Sequence, residues 1–262
     1  MGYLMYDDIQ YDVENGIATI TIDRPDVHNA FRRTTLLELN DALRTAREDS
    51  GIYVIILTGT DGFCAGADVD DMADWDEMQK EDYAAFLWTV QNVVRQLRGS
   101  EIPTIAAVNG PAIGAGCDFA LACDIRTASS DAIFREGFVN VGLVPGDGGA
   151  WLLPRLIGES TAKLYLLTGR DIPAEKAADL GLVSEVNEDA FDGAHDLAVE
   201  IQSLPAIAVQ RTNGLVDPEL SFEEYCNLAI EYQWECVNDP EHAEAVAAFA
   251  EKRAPSFDRD YS

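Results

Sequence analysis

Apolar runs along the first two thirds of the chain alternate with glycine-rich turns and with segments of helical periodicity. Residues 17–22 alternate between apolar and polar positions, as a half-buried strand does, and residues 12–16 supply a turn from an earlier strand. The continuous apolar runs at 53–57 and 104–108 predict strands covered on both faces. Residues 124–128 predict a further strand.

Helical segments separate these strands. Residues 34–47 predict a helix with one apolar side, residues 83–97 predict a second helix, and a short helix ends at Ala122. The alternation of strand, loop and helix predicts an α/β fold with parallel strand pairing up to about Val186. Only helical patterns follow Ala190. We therefore predict a core at residues 1–195 and a C-terminal helical region for oligomerisation at residues 196–262.

The charge of the chain limits its partners. The formal net charge is −29, from 47 acidic and 18 basic residues. The acids are dispersed along the chain, which indicates a solvated acidic shell; an acidic interaction surface is the alternative. Nucleic-acid binding is excluded as a main function because it needs a basic surface.

So large a charge also predicts a dependence on salt. Like charges repel one another and destabilise the compact state, and at molar salt the Debye length falls to about 3 Å, which screens them. We therefore expect a protein of a salt-loving organism, whose Tm falls when KCl is removed. A Tm that is unchanged between molar and low KCl would contradict this expectation.

The remaining composition favours the cytoplasm. The first residues have no basic flank or apolar run of a signal peptide, and no segment approaches the roughly 18 apolar residues of a membrane span. The five cysteines include no Cys-x-x-Cys pair, and their odd number indicates reduced thiols. The three histidines have no metal-ligand spacing, so we expect no metal.

Two loops rich in small residues follow the buried strands. The first contains Ala65, Gly66, Ala67 and Asp68, and its small side chains let a ligand approach the main chain, although a tight turn chosen for packing is the alternative. The second passes through Gly114 and opens a helix at Ala115, whose N–H has no partner within the helix and sits at the positive end of the helix dipole.

Two such loops, each closing a buried parallel strand, are what a two-donor oxyanion hole requires. Each donor contributes about 2.7–4 kcal/mol in enzymes from which one has been removed. Gly114, Gly116 and Ala120 also have the spacing of a dinucleotide fingerprint. However, five residues separate Val108 from Gly114, where the fingerprint places its glycine at the end of the strand. Nicotinamide binding is therefore disfavoured.

Together with further segments, these loops resemble the crotonase (enoyl-CoA hydratase/isomerase) family over nearly the whole chain. The resemblance implies a spiral of β-β-α turns and a C-terminal helical region that builds homotrimers, often paired into hexamers. It also implies an acyl-CoA thioester substrate and no cofactor beyond the CoA of that substrate. The further matching segments are 24–25, 29–31, 122–126, 142–146, 167–169, 174–177, 181–183 and 249–257.

The resemblance also assigns roles to single residues. It implies that the N–H groups of Ala67 and Ala115 are the oxyanion donors, and that Arg24 and the region of Lys252 contact CoA phosphates. Asp70 stands where the family often carries a lysine, so one phosphate contact is not retained. The main chain of Ala65, Gly66, Asp68 and Gly114 would adjoin the bound thioester.

The catalytic acids depart from the family pattern. Hydratases of the family use two glutamates; the first position corresponds to Asp118 and the second to Phe138, which cannot transfer a proton. Asp118 could instead cap or pack its helix. Glu136 and Asp147 are the nearby acids that could replace the lost glutamate. Their alternatives are a surface acid for Glu136 and a helix cap for Asp147.

These residues favour acid–base chemistry on an enolate. We predict hydration of a 2-enoyl-CoA, with an enoyl-CoA or ring-type acyl-CoA isomerase as the alternative. A catalytically idle binding or assembly protein of the same fold is the alternative from another class. Phe138, Phe134 and Trp151 would give the site apolar walls that suit a bulky or aromatic acyl group.

Overall fold

The computed structural model describes residues 6–73, 75–216 and 220–259. Within these ranges two sheets form. The strands Ile9–Glu14 and Ile17–Ile22 pair antiparallel, whereas the other neighbouring strands of the main sheet are parallel. The main sheet has the spatial order β1 (Ile9–Glu14), β2 (Ile17–Ile22), β3 (Val54–Gly59), β4 (Thr104–Val108), β6 (Ile125–Ser129) and β9 (Glu185–Asn187). The second sheet has the order β5 (Pro111–Ile113), β7 (Ile133–Arg135) and β8 (Ile172–Pro173).

Helices connect the strands and form the C-terminal part of the described chain. They are α1 (Arg33–Glu48), α2 (Val69–Met72), α3 (Lys80–Arg98), α4 (Ala115–Ala122), α5 (Gly149–Ile157), α6 (Glu159–Thr168), α7 (Ala174–Asp179), α8 (Ala190–Gln202), α9 (Ala206–Leu215), α10 (Phe222–Asn238) and α11 (Pro240–Glu251). The predicted helices at 34–47 and 83–97 are confirmed as α1 and α3, which extend by a few residues beyond the predicted bounds.

Helices cover the main sheet on both faces, which explains its apolar strands. Every residue of β3 and β4 is buried. One face packs in the large core that includes α1 and α3, and α8 covers the other with alanines spaced four residues apart, at 190, 194 and 198. Small side chains at this helical spacing let α8 lie close to the strands.

The boundary predicted between residues 195 and 196 falls inside α8. Because Ala194 and Ala198 of this helix pack together against β3 and β4, the helix belongs to the core on both sides of that boundary. The helices beyond Gln202 are different, since α9 and α10 contain no buried residue and α11 buries only Ala248. A division that follows the packing therefore begins after α8.

Two turns are shorter than the sequence pattern predicts. β1 continues to Glu14, and Asn15 and Gly16, with φ of 50° and 78°, make the two-residue hairpin turn. Within the second glycine-rich loop, residues 111–113 form β5, which runs up to Gly114. The predicted gap of five residues between a strand and Gly114 was therefore wrong, because β5 ends beside this glycine.

The C-terminal helices expose large apolar side chains. Phe222, Trp234 and Phe249 are 78%, 66% and 89% exposed. Within the described ranges, no helix combines the length and apolar character needed to cross a membrane.

Candidate active site

The two glycine-rich loops lie side by side. The N–H of Cys64 donates to the carbonyl of Pro111 (3.0 Å), and the N–H of Ile113 donates to the carbonyl of Cys64 (2.9 Å). Gly66 has φ of 90°, which an L side chain rarely adopts, and a Cβ built on it would stand 2.8 Å from the carbonyl oxygen of Ile113. Glycine at this position therefore permits the close approach of the loops.

This approach brings the predicted oxyanion donors together. The same Cβ on Gly66 would stand 3.9 Å from the backbone nitrogen of Ala115, so the residue before Ala67 lies next to the start of α4. Within the described chain, neither the N–H of Ala67 nor that of Ala115 donates to a protein acceptor. Ala115 is the first residue of α4, where an N–H lacks a partner within the helix.

Both alanines border an apolar cavity of about 360 Å³. Aromatic and aliphatic side chains from several parts of the chain form its walls, and Phe138 is among them, as predicted. Ala65, Gly66 and Gly114 also line it, whereas Asp68 does not. The aromatic and aliphatic side chains in the lining are Phe31, Val69, Met72, Trp75, Tyr83, Phe86, Leu87, Val90, Ile113, Phe138, Val141, Leu143 and Val144.

The three candidate carboxylates converge at one place. Asp118 lies in the first turn of α4, Glu136 directly follows β7, and Asp147 precedes α5. A Cβ built on Gly149 would stand 2.2 Å from Glu136 Oε2 and 2.5 Å from Asp118 Oδ1, so both carboxyl groups meet at this glycine. Among the described acidic residues, Asp147 alone lines the cavity; Asp118 and Glu136 lie buried behind it.

Burial raises the pKa of all three acids. The pKa of Asp118 is raised well above its ordinary value by burial, then by the charges of Glu136 and Asp147. Burial, with the charge of Asp147 adding to it, raises the pKa of Glu136 to about 7, and burial raises that of Asp147 to about 6. These values suit groups that exchange protons near neutral pH.

Asp118 and Glu136 have the character of a pair that shares a proton. Within the described chain, no group meets hydrogen-bond geometry with any of their four carboxyl oxygens. The N–H of Gly149 lies near Asp118, and the thiol of Cys117 lies near Glu136. A proton held between the carboxyl groups lets one donate to the other and avoids two unpaired buried charges.

This arrangement predicts a stability that falls as pH rises. Between about pH 4 and 7 the folded protein keeps protons on Glu136 and Asp147 that the unfolded chain has released. Each unit by which folding raises a pKa therefore lowers the free energy of unfolding by about 1.4 kcal/mol once the group ionises. Glu136→Gln, which removes the charge that Glu136 acquires above about pH 7, is expected to raise Tm relative to the wild type at pH 8 and to have less effect at pH 5. Melting curves of both proteins at the two pH values, in the same salt, measure this. A difference in Tm that is the same at both pH values would contradict it.

The structure excludes the alternatives for two of these acids. Glu136 is 2% exposed and pairs with no arginine of the described ranges, so it is not a surface acid. The residue at the N-cap of α5 is Gly148, and no side chain caps this helix, so Asp147 is not a helix cap. The carboxyl group of Asp118 likewise accepts no capping hydrogen bond.

Arg24 lies in a network of ion pairs and is not a free cation. Its Nη1 lies 3.1 Å from Asp68 Oδ2, its Nε lies 3.7 Å from Asp8 Oδ1, and its guanidinium also donates to the carbonyl of Ala30. Asp68 in turn accepts a hydrogen bond from the N–H of Asp70 and caps α2. These contacts position the loop that contains Ala67, and the predicted phosphate contact of Arg24 has no support from them.

The predicted place of Trp151 is also not supported. Its ring lies outside the cavity lining, between the guanidinium groups of Arg98 and Arg155, whose Cζ atoms are 4.5 and 3.5 Å from the ring centroid. Phe134 is fully buried in β7 and does not line the cavity. Lys252 ends α11 in the left-handed conformation, and its side chain is exposed. It does not belong to the cavity lining, so its CoA contact stays a prediction.

The sequence patterns missed the contribution of α3. Tyr83, Phe86, Leu87 and Val90 of this helix line the cavity, and Trp75 before it packs its ring against Phe86 at 5.3 Å between centroids. The spacing of these four residues marks one face of a helix. That signal showed an apolar face but did not show that part of this face borders a cavity.

A second groove and the search for metal-binding side chains offer no better candidate for the active site. A wider groove of about 930 Å³ lies elsewhere and is lined mainly by polar and acidic residues, which suit an acyl group poorly. Among the described residues, no group of three or more His, Cys, Asp or Glu side chains is arranged to hold a metal ion.

Comparison with known proteins identifies the family. The model of the enoyl-CoA hydratase/isomerase family matches residues 12–260, and the chain belongs to this family. It is 34% identical to a crotonyl-CoA hydratase of Syntrophomonas wolfei, over 97% of this chain and 99% of that protein. It is 35% identical to a short-chain-enoyl-CoA hydratase of Clostridium acetobutylicum, over 92% of this chain and 93% of that protein. The enoyl-CoA hydratase structure of Bacillus anthracis superposes with a TM-score of 0.90 at 29% identity, covering 96% of this chain and 99% of that one.

These likenesses confirm the predicted fold and class of reaction. The fold is the α/β fold of crotonase-type enoyl-CoA hydratases, with helices at the C-terminus. The protein is an enzyme of the hydratase/isomerase type, which excludes the idle binding or assembly protein. Enzymes of this family act on enoyl-CoA thioesters, so the apolar cavity described above is the candidate site for the acyl group.

Proposed function

We propose that this enzyme hydrates 2-enoyl-CoA thioesters, with Asp147 as the proton-transferring group. The single observation that carries the proposal is the cavity itself. It is apolar, two N–H groups without protein acceptors border it, and Asp147 is its only carboxylate among the described residues. The raised pKa of Asp147, about 6, allows it to take and return a proton near neutral pH.

The proposed reaction proceeds through an enolate. The N–H groups of Ala67 and Ala115 hold the thioester oxygen while water adds to C3 and Asp147 takes the water proton. The electrons of the double bond move onto the thioester oxygen. They then return to C2, which accepts the proton from Asp147, and the carboxylate is regenerated. Asp118 and Glu136 hold their shared proton behind Asp147 and do not contact the substrate.

Double-bond migration is the second candidate reaction, and one observation favours it. Among the described residues, a single carboxylate faces the cavity where the family's hydratases use two glutamates, and Phe138 occupies the second position. One carboxylate suffices to remove a proton from C2 of a 3-enoyl-CoA and return it to C4. The named relatives favour hydration, so we place migration second.

Absorbance of the conjugated thioester distinguishes the two reactions. Purified protein in molar KCl is given crotonyl-CoA in one assay and a 3-enoyl-CoA in another. Hydration removes the conjugated absorbance of crotonyl-CoA, whereas isomerisation creates it from the 3-enoyl-CoA. Absence of turnover with crotonyl-CoA, together with a rise in absorbance from the 3-enoyl-CoA, would replace the hydratase with the isomerase.

We also propose an oligomeric state, a cellular compartment and a salt dependence for this enzyme. The exposed Phe222, Trp234 and Phe249 support a homotrimer or a dimer of trimers built through the C-terminal helices. All five thiols are free, as suits a reducing cytoplasm, and the net charge of −29 suits high salt. Light scattering after gel filtration at molar KCl measures the mass, and a monomer would contradict the assembly.

A further inference from the structure

Tyr83 faces the same cavity as Asp147. It lies in the first turn of α3 and lines the cavity together with Asp147 and the two oxyanion alanines. No motif of the family match includes this residue. Its phenol is one of the few protic groups on an otherwise apolar wall.

Packing of α3 places Tyr83 close to Asp147. The side chain of Leu87 lies 3.8 Å from a Cβ built on Gly146, and Gln91 Nε2 donates to the carbonyl of Gly146 at 2.9 Å. Tyr83 precedes Leu87 by four residues, which is one helical turn of about 5–6 Å on the same face. The helix that carries Tyr83 is therefore held directly against the residue before Asp147.

The ring of Tyr83 is held and its hydroxyl is available. The ring packs edge-on against Trp75, with 5.7 Å between centroids. In the described part of the chain, no group forms a hydrogen bond with the hydroxyl. Burial, and then the charge of Asp147, raises the pKa of Tyr83, so the hydroxyl stays protonated at neutral pH and can both donate and accept hydrogen bonds.

We propose that the Tyr83 hydroxyl is the second group that holds the reacting water, opposite the Asp147 carboxylate. The inference rests on the proposed hydration. Two groups are needed because a water held by one hydrogen bond can rotate away from C3 of the substrate. Phe138 cannot serve as the second group, whereas Tyr83 reaches the cavity from α3.

The step balances with one water. The water donates one hydrogen bond to Asp147 and one to the Tyr83 oxygen. These two bonds point a lone pair of the water oxygen at C3 of the substrate. One O–H bond of the water breaks as the C3–O bond forms, and Asp147 takes that proton and returns it to C2. Tyr83 keeps its own proton throughout, so it holds the water without acting as a base.

Tyr83→Phe tests this role because it removes only the hydroxyl and leaves the ring against Trp75. Hydration of crotonyl-CoA is measured beside exchange of the C2 protons of butyryl-CoA in D₂O, followed by NMR. Exchange needs Asp147 and the two N–H groups but adds no water. We expect kcat for hydration to fall about tenfold to a hundredfold with little change in KM, while exchange stays within about twofold. Tyr225→Phe, an exposed tyrosine of α10, is the matched control and keeps both activities.

Three other outcomes of these assays would contradict the role of Tyr83 or the proposed hydration. Hydration by Tyr83→Phe within about twofold of the wild type would remove Tyr83 from the reaction. An equal loss of hydration and exchange would mean that Tyr83 positions Asp147 and does not hold water. If the wild type exchanges the protons of butyryl-CoA but hydrates no 2-enoyl-CoA, the proposed hydration fails, and the water-holding role fails with it.

Discussion

Asp147→Asn is expected to lower kcat for crotonyl-CoA about a hundredfold to ten-thousandfold, the range for removal of a general acid or base. Among the described acids only Asp147 lines the cavity, and the amide that replaces its carboxylate cannot take a proton from water. KM should change little, because the cavity walls and the two N–H groups proposed to bind the thioester remain. Initial rates over a range of crotonyl-CoA concentrations measure both constants.

The pH profile gives an independent sign of the same role. The pKa of Asp147 is raised to about 6 by burial, and the base acts when ionised, so kcat/KM of the wild type should rise with pH through about 6. This limb should be absent from the residual activity of Asp147→Asn. Asp196→Asn, an exposed aspartate of α8, is the matched control and should keep the wild-type profile. Activity of Asp147→Asn within about threefold of the wild type would exclude Asp147 as the base.

Gly116→Ala is expected to cost about 2–4 kcal/mol of unfolding free energy, and it should also reduce activity. A Cβ on Gly116 would stand 2.3 Å from the carbonyl oxygen of Cys64 and 2.8 Å from its Cβ. This carbonyl cannot turn aside easily, because it accepts the hydrogen bond of the Ile113 N–H. The start of α4 must therefore move away from the first loop, which separates the N–H groups of Ala67 and Ala115.

Gly214→Ala provides the matched control for this change. Its Cβ would meet nothing closer than 3.4 Å, and alanine is favoured over glycine within α9 by about 1 kcal/mol. Chemical denaturation of both variants and the wild type at one salt concentration measures the difference. Equal stability of Gly116→Ala and the wild type would mean that the contact between α4 and Cys64 is looser than described.

The strands and long helices could be predicted from the sequence because their patterns are local. The run at 53–57 is apolar at every position since helices cover both faces of β3. The resemblance identified Asp118 by position and drew attention to Glu136 and Asp147 as acids near the lost glutamate. The structure brings all three together, and their catalytic roles stay predictions.

The predictions that the structure does not support, and the residue that the sequence missed, depend on distant parts of the chain. Trp151 follows Asp147 by four residues, but α5 begins at Gly149 and turns the indole toward Arg98 and Arg155. Arg24 matched a family position, yet its partners Asp8 and Asp68 lie 16 and 44 residues away. Tyr83 was missed because only the packing of α3 against Gly146 shows which side of the helix meets the cavity.

The bond from Gln91 to Gly146 has a consequence for engineering of this enzyme. Helix α3 forms a wall of the candidate acyl cavity and also holds the loop that contains Asp147. A larger substrate accommodated by moving α3 would displace Asp147 at the same time, so gains in substrate range would come with losses in turnover. Libraries that enlarge the cavity should therefore vary lining residues outside α3 and away from Asp147, such as Val69 and Met72 of α2, and leave α3 unchanged.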